Sequence, residues 1–215
     1  MNWFKKLIGG ADEQEAAPRV LDHPKDLKTG DIIKFGFCGL DDLSNVSATV
    51  KEINTYDLSA GQRKTVFTLD AAGPLYFMAV NNERGTETIE VSRLILPAVV
   101  EQLFGFDQFA EIIESDSVDG ELNRKSEPVD IAGWSADSYF QEAYNEAYFH
   151  KGDFREKSLP SSKDNCTAFD YYFLVSQDRK NALQIEVYDG SRTDVLLTSR
   201  LPIRAVEEMW PATQS

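Results

Sequence analysis

Two stretches decide how this chain is read: VNNERGTETIEVSRLILPAVVE (Val80–Glu101) and VYDGSRTDVLLTSRLPIRAVEE (Val187–Glu208). A shift of 107 residues lays one on the other without a gap, and eight of the 22 positions are identical: Val80/Val187, Thr86/Thr193, Ser92/Ser199, Arg93/Arg200, Leu94/Leu201, Ala98/Ala205, Val99/Val206 and Glu101/Glu208. In both, a turn rich in Gly and polar residues precedes an alternating apolar segment rich in β-branched residues. That is the pattern of a hairpin followed by a strand with one buried face. A recurring unit sets architecture before any other reading, so the expectation is a mainly β, pseudo-duplicated chain. Two small antiparallel sheet or barrel-like units pack together, each with short helices.

Outward from these stretches the same grammar continues. Lys28-Thr-Gly-Asp31 is a turn before Ile32–Phe35, and Val46–Tyr56 alternates in part. Lys64–Leu69, Leu75–Asn81 and Thr86–Arg93 follow, separated by Ser59–Gln62, Ala72–Pro74 and Asn82–Gly85. Links this short join antiparallel neighbours and leave no room for crossover helices. Leu96–Phe104 reads as a short helix with Pro97 in its first turn, and Phe106, Phe109, Ile112 and Ile113 extend an apolar segment of undetermined type. The polar Glu114–Asp130 reads as a linker. Beyond it, Ser138–Phe149 is expected to be helical, because Phe140, Tyr144 and Tyr148 recur at i, i+4 and i+8. Tyr171–Ser176, Ala182–Tyr188 and Thr193–Arg200 supply the second set of strands, Asp189-Gly190 makes a hairpin turn, and Arg204–Trp210 closes in a helical turn. The domain reading is residues 1–26 as an amphipathic helix and acidic tail, 27–113 as a first β unit, 114–130 as linker, and 131–215 as a second β unit with a preceding helix.

The 215 residues carry 22 basic and 36 acidic side chains, a formal charge of −14. Binding nucleic acid through phosphate contacts needs a basic surface, so nucleic acid is not an expected partner; a basic protein is compatible. Hydrophobic residues make up 42%, enough for a real core. Two cysteines, Cys38 and Cys166, make no disulfide framework, and no apolar run approaches the ~18 residues of a membrane span. The chain reads as cytoplasmic.

Chemical signatures are sparse. A hydrolytic triad needs a nucleophile, a base and an orienting group, and the two histidines, His23 and His150, have no nucleophile-elbow pattern near them. No CxxC or HxxxH spacing marks a metal site, and neither a phosphate loop nor GxGxxG occurs, so neither metal nor cofactor is expected. The residues most suited to binding are Trp3, Phe4, Leu7 and Ile8 on one face of a short N-terminal amphipathic helix, able to meet a membrane surface or a protein. Arg93 and Arg200 suit structural ion pairs or an anionic ligand, and Tyr144 and Tyr148 suit either core or a stacking groove.

The pattern Asn2-Trp-Phe-Lys-Lys-Leu-Ile, Leu27-Lys-Thr-Gly-Asp31 opening a β meander, and Tyr56-Asp57 resembles a bacterial family of domains of unknown function. Its members are encoded beside phage-shock-protein-A-like coat proteins and small membrane proteins. The likeness runs over Leu27–Arg93 and more faintly through the second half. It implies an accessory role in an envelope-stress or membrane-associated system, peripheral to the inner membrane face. The functional expectation is a non-enzymatic interaction protein. The alternatives are a small-molecule binder or enzyme with a cleft between the two units, and an acidic neutraliser of a basic partner.

Overall fold

The computed structural model describes residues 19–59, 61–73, 75–83, 85–114, 118–160, 165–190 and 192–213. The N-terminal segment holding Trp3, Phe4, Leu7 and Ile8 lies outside the described residues. The strands are β1 (Ile32–Phe35), β2 (Ser47–Asp57), β3 (Arg63–Asp70), β4 (Leu75–Glu83), β5 (Thr86–Ile95), β6 (Glu121–Asn123), β7 (Ser138–His150), β8 (Thr167–Val175), β9 (Asn181–Tyr188), β10 (Arg192–Pro202) and β11 (Val206–Trp210). Two helices, α1 (Pro97–Phe104) and α2 (Phe106–Glu114), interrupt them.

The protein is mainly β. All eleven strands belong to one antiparallel sheet ordered β11-β1-β2-β3-β4-β5-β10-β9-β8-β7-β6, and a second pairing, β2 with β7, closes eight of them into a barrel. Each half of the chain supplies a four-stranded meander. The meanders join edge to edge, β5 to β10 and β2 to β7, rather than packing face to face as two curled sheets. Closure removes the four edges that separate meanders would expose.

Ser138–His150 is a strand, not the expected helix. Spacings of four and eight are even, so they fit period 2 as well as period 3.6. The segment is also ringed by partners: β8 along its length, β6 at its start and β2 at its end. A register shift between Gln141 and Ala143 then turns Phe140 to the opposite face from Tyr144. The stretch expected to be a linker holds β6, which pairs with β7. At the C-terminal end, Ile203–Ala205 make a single 3₁₀ turn, and Val206–Trp210 are a strand laid on β1.

The two sheet faces differ in chemistry. The outer face is apolar and covered. Ile53, Leu69, Met78, Val91, Leu197, Leu183 and Leu174 belong to one buried cluster with Phe35 of β1 and with Leu27, Leu43, Leu103, Phe104, Ile112 and Trp134 from the flanking loops and helices. Trp134 stacks on Tyr76 at 5.8 Å, its indole N–H donates to Asp42 Oδ1 at 2.8 Å, and Arg93 lies over its ring. The inner face closes on itself. Lys64 of β3 bonds Glu90 of β5 across the intervening β4, and Arg200 of β10 lies over Phe173 of β8 across β9. Contacts that skip a strand form on the concave side of a curled sheet, which makes this face the barrel interior.

Candidate functional site

The 107-residue shift carries Thr88–Ile95 onto Val195–Pro202, and these two segments are the ones that pair. The residues it matches nevertheless do not share an environment. Arg200 lies opposite Glu90, whereas Arg93 lies opposite Leu197. Glu90 and Arg93 are three residues apart on one strand and therefore point to opposite faces. Arg93 is outside, bonded to Asp42 Oδ2 at 2.8 Å and to the Asp130 carbonyl at 3.0 Å. Arg200 is inside, with Nε at 3.1 Å from Glu90 Oε1. Both arginines form the ion pairs expected of them, but no common site brings them together. Tyr144, stacked on Tyr172 at 4.7 Å, lies on the outer face of β7; Tyr148 lies on the same face and bonds Glu146.

Sequence reading missed the interior polar cluster. Glu90, 3% exposed, takes Lys64 Nζ at 2.7 Å on one oxygen, and Arg200 Nε and Asn81 Nδ2 at 3.1 and 3.2 Å on the other. Burial alone would raise its carboxyl; Lys64 and Arg200 outweigh that and hold it below the ordinary carboxylate value. Glu186, 2% exposed, has no arginine or lysine in hydrogen-bond contact among the described residues. Tyr188 and Gln184 donate to it, and the Tyr56 hydroxyl faces it from β2. Burial dominates, so its carboxyl is raised despite those donors. Burial also pushes the Tyr56, Tyr188 and Tyr171 hydroxyls upward, with the nearby carboxylates adding to it. Aromatic rings complete the filling: Tyr56 meets Phe149 and Phe169 edge-on at 5.4 and 5.7 Å. The space left beside Glu90 and Gln184 is about 10 Å³, the room of roughly one water. The interior is thus a packed polar core with two cations and two carboxylates. No sequence signal marks it, because Lys64, Glu90, Glu186 and Arg200 read as solvated positions until the barrel closes.

A different place on the molecule is open. Between α1, α2 and the start of β10 runs a groove of about 340 Å³, floored by Ile95, Val100 and Val195 and walled by Pro97, Phe106 and Phe109. Its size falls at the lower end of sites that take ligands or anchoring side chains. Phe106 is 75% exposed and Leu96, just before α1, is 69% exposed. Large apolar side chains this exposed and clustered mark contact surfaces. Gly105, at φ +76° and ψ 154°, makes the break between the helices. A β-carbon there would strike the Lys125 side chain. Glu101 lines the groove and the Lys125 side chain lies against Gly105 in its wall, whereas the exposed Asp107 and Glu111 stand on the side of α2 turned away from Phe106 and Phe109. The apolar segment from Phe106 that the sequence left untyped is therefore the helix that walls the groove.

Among the described residues no cluster of three His, Cys, Asp or Glu side chains is placed to hold a metal ion, and no helix is long and apolar enough to cross a membrane. Cys38 and Cys166 are both half-buried and form no disulfide. Comparison with known proteins finds no family model, no curated protein and no solved structure that matches the chain.

Proposed function

We propose that this chain is a non-enzymatic interaction protein whose docking surface is the α1–α2 groove. The observation that carries this is the exposed Phe106 and Leu96 beside an apolar groove with Glu101 in its wall, on a barrel whose interior beside Glu90 is packed. The partner of matching chemistry is a short amphipathic helix with two or three apolar anchors on one face and lysines or arginines beside them. Helix-in-groove recognition uses anchors at i, i+3, i+4 and i+7, and Glu101 with the net charge of −14 supplies steering for a basic partner. The resemblance of residues 27–93 supports placing this role in a cytoplasmic accessory protein of a bacterial envelope-stress or membrane-associated system, at the inner membrane face.

The test is titration with a fluorescent amphipathic Lys/Leu helical peptide and its Glu/Leu counterpart. The Lys/Leu peptide binds, more weakly as salt rises, and Phe106→Glu abolishes binding while changing stability by about 0.5 kcal/mol or less, as for an exposed position. Equal binding of both peptides, or unchanged binding by Phe106→Glu, rules the reading out.

A further inference from the structure

We infer that the groove's resident occupant is this chain's own segment Met1–Ile8, docked in cis, so that a partner helix must displace it. The inference rests on the docking reading above. Four observations converge on it.

The first is chemistry. Phe4, Leu7 and Ile8 share a helical face with Trp3 beside them, and the segment carries Lys5 and Lys6 with no acidic residue. It is a basic, apolar stretch in a chain of net charge −14, and the groove is apolar with Glu101 in its wall. The second is folding. A helix of eight residues is below the ~12–15 residues at which isolated helices become even marginal in water, so it forms only against a surface that takes its apolar face.

The third is reach. The described chain starts at Arg19, anchored by an ion pair to Asp31, whose backbone bonds Val50 of β2. The pairings β2–β3, β3–β4 and β4–β5 then lead to the strand that ends at Ile95 in the groove. Three strand spacings are about 15 Å, and the ten residues between Ile8 and Arg19 extend to about 35 Å. The fourth is the tether's composition. Gly9-Gly10 and the acidic Ala11–Ala17 can link without competing for an apolar site. A tether of this length gives an effective concentration on the order of millimolar, enough to occupy the groove at modest intrinsic affinity and still yield to a better helix.

The experiment compares the full wild-type chain with full-length Leu7→Glu/Ile8→Glu, titrating each with dye-labelled Met1–Gly10 peptide by fluorescence anisotropy. The doubly substituted chain should bind the peptide about tenfold more tightly, for a peptide dissociation constant near one tenth of the effective concentration. Adding Phe106→Glu to it should remove binding. Equal binding to both chains, lost with Phe106→Glu, overturns the cis occupant and leaves the docking reading standing. Binding to neither overturns both. Light scattering showing a wild-type dimer that the double substitution dissolves assigns the groove to a second copy and overturns docking in cis. Equal peptide binding together with loss of binding to anionic vesicles in the Leu7→Glu/Ile8→Glu chain assigns the segment to a lipid surface and also overturns it.

Discussion

Replacing Glu90 by Gln removes one charge from the barrel interior and keeps its shape. Glu90 is the shared partner of Lys64 and Arg200, whose side chains are 18% and 9% exposed. With the carboxylate gone, Lys64 loses its ion-pair partner and Arg200 keeps only the longer contact to Glu83 at 3.7 Å, in a site with little water. Removing one partner from a buried pair costs about 3–5 kcal/mol, and none of the three groups is exposed enough for solvent screening to discount that. Against a total stability of about 5–15 kcal/mol, the variant should lose about a fifth or more of its margin. In urea, a slope of about 2–3 kcal/mol per molar turns the loss into a midpoint drop of about 1–2 M. Because the folded-state pKa of Glu90 is lowered, its contribution is present above the ordinary carboxylate pKa and is lost as pH falls through the lowered value. The gap between wild type and Glu90→Gln should therefore narrow in acid. Replacing all three charges together, as Lys64→Met/Glu90→Leu/Arg200→Leu, should cost less than the single change, since apolar replacement of a whole buried ion cluster is often neutral. A single-site loss under about 1 kcal/mol, or a triple variant worse than the single, would refute the view that Lys64 and Arg200 depend on Glu90 for their burial.

Glu186→Gln should act in the opposite sense. The Glu186 carboxyl is raised by burial, so the wild type loses stability as pH climbs from the ordinary carboxylate value through the raised one; the variant lacks that loss, and melting curves from pH 4 to 8 should diverge in its favour as pH rises. Ser92 Oγ and Thr198 Oγ1 share a buried 2.7 Å hydrogen bond, so Thr198→Val should cost about 1–3 kcal/mol by orphaning a hydroxyl, and adding Ser92→Ala should recover part of it; additive losses in urea titrations would contradict this. Gly105→Ala should cost about 1–3 kcal/mol, because φ +76° with ψ 154° is a region for glycine alone. A melting temperature unchanged by that substitution would mean the α1–α2 break is set elsewhere.

Much of the local structure is legible in the chain. Turn chemistry and alternation locate seven of the eight barrel strands to within a few residues, and Pro97 marks the start of α1, because these signals depend on neighbours in sequence. Period alone misassigns Ser138–His150, whose aromatic spacing satisfies helix and strand alike. The sequence shift matches the two strands but shows neither that they pair nor which face each residue takes. A one-residue difference in register turns a side chain from the interior to the outside, so Arg93 rests on Trp134 while Arg200 neutralises Glu90. The candidate site divides in the same way: the composition of Phe106–Glu114 shows apolar surface, and only its packing beside β10 makes that surface a groove. Sequence determined which segments extend, where they turn and which have an apolar side, since those follow from local sterics and alternation. Tertiary structure alone decided that β2 meets β7 and β5 meets β10. That closure brings residues about a hundred positions apart within hydrogen-bond distance and places four ordinary-looking charges where water is excluded.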